Sequence, residues 1–364
     1  MKVKSFFQDV LGSARVAKRR KDVVKKASDI PFWDDPISDA ANALHPGKID
    51  VELFQVKEIS DTLKAFVFSS KNGHFPYFKA GQYCTFEIPQ GENVYTRPFF
   101  LTSGPYQTRE EFPLIEILVR KKDDIASDYF FNKIKVKDIL KAEVGLGYFF
   151  FDPLRDCRNL VCLAKDDFVF CFLSFIREVE FGKGDYDLTI LYDGNEDVLK
   201  YLNGYKKTKI IHVPFDDSMN FIDFTKDATY FICSDKSSGD KIVEQLKEKE
   251  IPERRIRTDF FYHPDLDELK DKDFKIKVLC GIQEEIIPAN GRESIATALE
   301  KAGKRIHTCC RKGECGCCRI KIEKGKYLIQ TLKDQRRMAD KEFNYVYSCC
   351  TYPLSDLTIR IDID

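Results

Sequence analysis

The sequence predicts a multidomain α+β protein: an antiparallel β-barrel, then an α/β domain with a parallel sheet, then a small β-rich domain at the C-terminal end. Three observations carry this prediction. Between residues 47 and 154 short β-rich runs follow one another with no long helix between them, and closely spaced strands of that kind close into antiparallel barrels. From Asn159 strand-like and helix-like runs alternate, which implies parallel strands joined by crossover helices. Near the C-terminal end a hairpin and a helix lead into a loop crowded with cysteines, Thr308 to Cys318.

At 364 residues the chain exceeds one core of ordinary size, so several domains are expected. Residues 1–46 read as a basic helical segment, with Phe6, Phe7, Val10, Leu11, Ala14 and Ala17 at helical spacing before the cluster Lys18 to Lys21. An ordinary amphipathic helix is the reading preferred there over peripheral membrane contact. The 59 Lys and Arg residues balance 59 Asp and Glu, so no global field favours nucleic acid as a partner. No apolar run reaches the roughly 20 residues needed to span a bilayer.

The barrel prediction, residues 47–154, rests on VELFQVKEI, KAFVFSS, YCTFEIP, YTRPFFLTS and LIEILVRKK, which have strand length and composition and are separated by turn formers. The α/β prediction, residues 155–264, rests on NLVCLA, DLTILYDG and ATYFICSD as strands, alternating with FCFLSFIREVEFG, EDVLKYLNGY and KIVEQLKEKEI as helices; RTDFF closes the domain. A charged linker, residues 265–275, precedes the last domain, residues 276–364. There FKIKVLCGIQEEIIP reads as a hairpin and SIATALEKAG as a helix.

Cys310, Cys315 and Cys318 stand in the spacing C-x4-C-x2-C, and Cys349 can supply a distant fourth thiolate. That is the plant-type spacing for a [2Fe-2S] cluster. Gly313 and Gly316 suit a loop that must wrap closely around sulfur. Zinc favours two C-x2-C pairs instead, and a zinc-stabilised interaction module is the competing reading. Cys309, Cys317 and Cys350 each adjoin a proposed ligand. Of thirteen cysteines, nine remain after four bind the cluster. An odd, scattered remainder points to a reducing compartment and a cytoplasmic protein.

This order of domains resembles the phthalate dioxygenase reductase group of the ferredoxin-NADP reductase superfamily. SIATALEKAG, CRKGECGCC and SCCTYPLSDLTI have counterparts in the ferredoxin part, in order. The resemblance implies an FAD-type barrel, a nicotinamide-type α/β domain and a β-grasp-like ferredoxin domain. It also implies FAD as a cofactor, with Arg97 on its pyrophosphate, Phe99 against the flavin, Phe100 beside flavin N5 and Ser127 on the same pyrophosphate. Cys233 would face the nicotinamide.

Four departures from the family pattern stand out, and three of them, Phe100 and the two altered turns of the α/β domain, bear on one step, hydride transfer from NAD(P)H. Phe100 replaces a hydroxyl and cannot donate a hydrogen bond. Acidic and apolar residues, Asp123 and Asp124 among them, replace the glycines before Ser127. AKDDFVFC, Ala164 to Cys171, replaces a glycine-rich turn, and CSDKSSG, Cys233 to Gly239, lacks the family's Gly-Pro. Asp166 and Asp167 would each cap the following helix, where they would oppose a bound pyrophosphate. The functional expectation is an iron–sulfur flavoprotein oxidoreductase that moves electrons between FAD and the cluster, and on to or from a redox partner protein. The altered turns argue against NAD(P)H as donor, and a nicotinamide-blind electron relay stands beside that reading.

Overall fold

The computed structural model describes residues 6–26, 47–90, 93–122, 124–261, 269, 271–304, 306–331 and 334–361. The connecting stretch 27–46, Asp123 and most of the charged linker lie outside these. The chain forms two units, residues 1–46 and 47–364. In the first, helix α1 spans Phe6–Lys26, with residues 12–22 exposed. No helix among the described residues is long and apolar enough to cross a membrane.

The second unit begins with β1 (Ile49–Ser60), β2 (Leu63–Ser70), β3 (Tyr83–Gln90), β4 (Asn93–Phe100), β5 (Leu114–Arg120), the short helix α2 (Ile125–Asp128) and β6 (Ile139–Leu146). The six strands pair antiparallel in the order β4-β3-β6-β1-β2-β5. Just past β4 the chain bends back onto the other edge. Thr102 N–H donates to the Glu116 carbonyl at 2.8 Å, and Glu116 N–H donates to Ser103 Oγ at 3.1 Å, which curls the sheet into a barrel. Period-two alternation drives the burial: Ile49, Val51 and Leu53 point inward while Asp50 is exposed. Phe66, Phe68, Phe86 and Phe130 fill the interior, with Phe68 and Phe86 centroids 4.8 Å apart and Phe66 and Phe130 at 4.9 Å. Each fully buried ring contributes about 2 kcal/mol.

The α/β part runs β7 (Asn159–Lys165), α3 (Phe170–Glu180), β8 (Asp187–Asp193), α4 (Glu196–Leu202), β9 (Lys209–His212), β10 (Thr229–Asp235), α5 (Lys236–Glu248) and β11 (Ile256–Phe261). Its strands are all parallel, in the order β11-β10-β7-β8-β9. Leu160, Cys162 and Ala164 of β7 pack on one side with Phe172 and Phe175 of α3. Val161 and Leu163 pack on the other with Ile242 and Leu246 of α5. Burial on both faces is why these strands read as continuous apolar runs. The strand order reverses between β7 and β10, and open parallel sheets hold ligands outside the carboxyl ends of strands at such a switch point.

The last part contains β12 (Asp273–Cys280), β13 (Gln283–Asn290), α6 (Ile295–Lys301), β14 (Arg319–Lys324), β15 (Tyr327–Ile329), α7 (Met338–Glu342), β16 (Tyr345–Tyr347), β17 (Thr351–Pro353) and β18 (Leu357–Ile361). The five-stranded sheet has the order β13-β12-β18-β14-β16, with β12 and β18 parallel, and β15 and β17 form a separate pair. The expected hairpin is β12 and β13, with Cys280 opposite Gln283 across a two-residue turn. Ser294 caps α6 by accepting from Thr297 N–H.

Candidate electron-transfer site

The cysteine loop is shaped by three left-handed residues, Arg311 (φ 55°), Gly313 (φ 77°) and Gly316 (φ 75°). At Gly313 a Cβ would meet Cys350 Sγ at 2.7 Å and Thr331 Oγ1 at 2.8 Å, so only glycine fits this turn. The N–H groups of Lys312 and Cys315 each lie 3.4 Å from Cys310 Sγ. The distant cysteine is brought in by Ser348, whose N–H and hydroxyl both donate to the Cys318 carbonyl at 2.9 Å.

A hydrogen bond with Cys315 pushes the Cys310 thiol up, and one with Cys349 pushes Cys318 up. Among the described residues no three ligating side chains converge on one point. Thiol contacts also link Cys315 to Cys309 and Cys317, and Cys349 to Cys350. Cys310, Cys318 and Cys349 are buried and Cys315 is exposed. The neighbours are placed differently. Cys350 Sγ donates to the Tyr347 carbonyl at 3.3 Å, and Cys309 Sγ lies 3.7 Å from the Tyr83 hydroxyl of the barrel, although it and Cys317 also touch Cys315.

Beside this loop lies a cavity of about 550 Å³. Arg97, Phe99 and Phe100 of β4, Ser127 of α2, Arg120 at the end of β5, Phe168 and Phe170 before and at the start of α3, and Cys310 and Lys312 of the loop all line it. Four positions singled out in the sequence, Arg97, Phe99, Phe100 and Ser127, thus share one wall system although they span 31 positions of the chain. Aromatic faces with several cations are the donor set that a flavin nucleotide requires. Phe99 packs edge-on against Phe130 at 5.1 Å.

The charges around the cavity are largely committed to one another. Arg97 Nη1 lies 3.3 Å from Glu300 Oε2 of α6. Arg311 pairs with the same carboxylate, and its Nε donates to the Thr96 carbonyl at 2.6 Å. Glu300 is only 3% exposed, and its two arginines come from the barrel and the cysteine loop. Burial holds the Arg311 guanidinium below its ordinary value. At α2, the Asp124 carboxylate accepts from Ser127 N–H at 2.8 Å, and Ser127 Oγ accepts from Lys122 N–H at 2.7 Å. A carboxylate therefore caps the amide that a phosphate would use.

Asp166 and Asp167 do not cap α3; its N-cap is Val169, without a side-chain bond. Asp167 instead accepts from Arg120 Nε at 2.5 Å and lies 3.4 Å from Lys122 Nζ. Arg120 also reaches Asp197 of α4 at 3.1 and 3.2 Å. The turn has taken up an ion-pair network joining barrel to α/β part, because the best partner for its carboxylate lies 47 positions upstream rather than one turn onward. Asp166 sits at φ 50°, and burial raises its carboxyl.

At the switch point Cys233 is fully buried and contacts Cys171; it does not line the cavity. Lys165 Nζ bonds Ser238 Oγ at 2.9 Å and Asp235 at 3.3 Å. Lys312 extends from the cysteine loop to Asp259 of β11. Both side chains are nearly buried, at 10% and 13% exposure. Charge attraction to Asp259 outweighs the burial penalty and raises the Lys312 ammonium. The sequence offered no local sign of Arg120, Glu300, Arg311, Lys312 or Asp259 as site residues, since each is defined by a partner in another part of the fold.

A model of the 2Fe-2S iron-sulfur cluster binding domain matches residues 278–354. Along 87% of the chain the structure superposes on 98% of phthalate dioxygenase reductase, with TM-score 0.64 and 15% identity. The chain shares the fold of phthalate dioxygenase reductase. It is 23% identical over 295 residues to the heme-dependent oxidative N-demethylase beta subunit of Ectopseudomonas mendocina, covering 76% of this chain and 88% of that one. It is 22% identical over 303 residues to the NADH oxidoreductase HCR of Escherichia coli, covering 79% and 89%. Identity rises to 34% over 77 residues with the toluate 1,2-dioxygenase electron transfer component of Pseudomonas putida, 21% of this chain and 23% of that one. The C-terminal module of this reductase-like fold carries the strongest likeness.

Proposed function

We propose that this chain is an electron-transfer component that moves electrons between a flavin held in the cavity and a [2Fe-2S] cluster held by Cys310, Cys315, Cys318 and Cys349, and on to or from a partner protein. The single observation that carries this reading is Cys310, which lines the same cavity as Arg97, Phe99, Phe100 and Ser127. When bound, FAD supplies the conversion between paired electrons and the single electrons that a cluster takes. The protein would hold its ring among Phe99, Phe100, Phe168 and Phe170. Arg97 and Lys122, both on the cavity wall, would be the cations available to its phosphates, and Lys312 and Cys310 line the cavity from the cysteine loop. Two relatives named as parts of a demethylase and of a dioxygenase support an oxygenase as the partner.

The absorption spectrum of the purified protein, with iron and acid-labile sulfide analysis, tests this. Flavin and cluster bands with two irons and two sulfides per chain are expected; zinc, or no flavin, overturns it. The relay that does not use nicotinamide is favoured within this reading by Asp124 and by the closed switch point. Anaerobic NADH should leave both chromophores oxidised, and rapid bleaching of both would sink the relay.

A further inference from the structure

The switch point of a parallel sheet is where a dinucleotide ring enters, alongside the carboxyl ends of the central strands. Here that place is filled by the chain itself. Lys312 leaves the cysteine loop, passes the cavity wall that it helps to line, and ends on Asp259 at the carboxyl end of β11. Asp259 stands in register with Cys233 of β10, the neighbouring strand. The Lys165 contacts with Asp235 and Ser238 lie at the carboxyl ends of β7 and β10 and the start of α5. The crevice is therefore crossed by two lysine–carboxylate pairs, one of them spanning from the cluster module to the sheet.

We infer that the Lys312–Asp259 pair is a bolt that excludes a nicotinamide ring from the cavity and so determines that this protein refuses pyridine nucleotide. This deepens the relay reading and rests on the cavity being the flavin site. Two physical effects act together. The ring and the buried lysine side chain compete for one space. An oxidised nicotinamide ring is itself a cation, so the ammonium, whose side chain is only 10% exposed, also repels it at short range. Displacing Lys312 would leave Asp259 without its partner and strand a buried carboxylate, which is costly.

The test is calorimetric binding of NADH and NAD⁺ to the full chain, after spectra have recorded flavin and cluster content for each protein. Wild type should bind both weakly. Lys312→Met and Asp259→Asn should each tighten NADH at least about tenfold, and Lys312→Met should tighten NAD⁺ by a larger factor, because it also removes the repelling charge. Lys312→Arg, which keeps charge and bulk, should remain closed. Unchanged affinity in both opening variants, or equally tight binding by wild type, overturns the bolt even where flavin and cluster are present. If the spectra show no flavin in wild type, the flavin reading falls and the bolt falls with it, whereas flavin present with unchanged dinucleotide affinity in the variants overturns the bolt alone.

Discussion

The cysteine loop and the switch point of the parallel sheet lie on either side of one cavity, and their sequences have been treated in opposite ways. In the loop Gly313 and Gly316 stand at positive φ, and Cys310, Cys318 and Cys349 are buried with Cys315 exposed beside them. At the switch point, positions that would have to leave room for a bound anion carry carboxylates, which pair with cations of neighbouring parts. One region is shaped by the steric demands of a tight turn, the other by ion pairs between neighbouring parts of the fold.

Four experiments break or sharpen that contrast. The largest effect is expected at the fourth ligand. Cys349→Ser should lose the cluster absorption and its iron, whereas Cys350→Ser, whose thiol is spent on the Tyr347 carbonyl, should keep both. The reverse pattern would reassign the ligand.

Next is the buried carboxylate between the two arginines. Glu300→Gln leaves Arg97 and Arg311 facing each other with their shared charge gone, and breaking a buried pair costs about 3 kcal/mol. Urea unfolding should show this as a lower midpoint, and an unchanged midpoint would mean that Glu300 is dispensable to the contact.

Gly313→Ala should cost about 1–2 kcal/mol through its left-handed backbone, with a further penalty from the 2.7 Å approach to Cys350. Faster loss of cluster absorption on warming would report it, and a melting profile like that of wild type would show that the turn yields.

The smallest effect concerns pH. Burial alone would raise the Asp197 carboxyl, but hydrogen bonds from Arg120 and Ser60 outweigh it and hold it below the ordinary carboxylate range. Its stabilisation is complete above the unfolded value of about 3.9 and is lost as pH falls through the lower folded value. Between pH 6 and pH 3 the unfolding midpoint of wild type should therefore fall further than that of Asp197→Asn. Equal falls would remove Asp197 from the account.

Much of this was legible in the sequence because its causes are local. The spacing of Cys310, Cys315 and Cys318 states a loop requirement within nine residues, and alternation such as Ile49, Val51, Leu53 states which face of a strand is covered. The unbroken apolar run of β7 states a strand covered on both faces. The reading of Asp166 and Asp167 as helix caps failed because a carboxylate before a helix has a default local partner, and nothing nearby in the chain announces Arg120 as a better one. Glu300 likewise gave no sign, since an acid beside Lys301 on the helix SIATALEKAG looks like an ordinary exposed charge. The cavity itself could be inferred only through resemblance, since its walls come from segments more than 200 positions apart.

Arg311 and Lys312 are successive residues whose side chains depart to different parts of the fold, one to Glu300 and the barrel backbone, the other to Asp259 of the parallel sheet. The single peptide between them is thus a pivot pinned on both sides. Rocking of the C-terminal module against either neighbour must strain one pin, so the cysteine loop keeps its distance from the cavity wall much as a hinge leaf screwed down at both edges keeps its place.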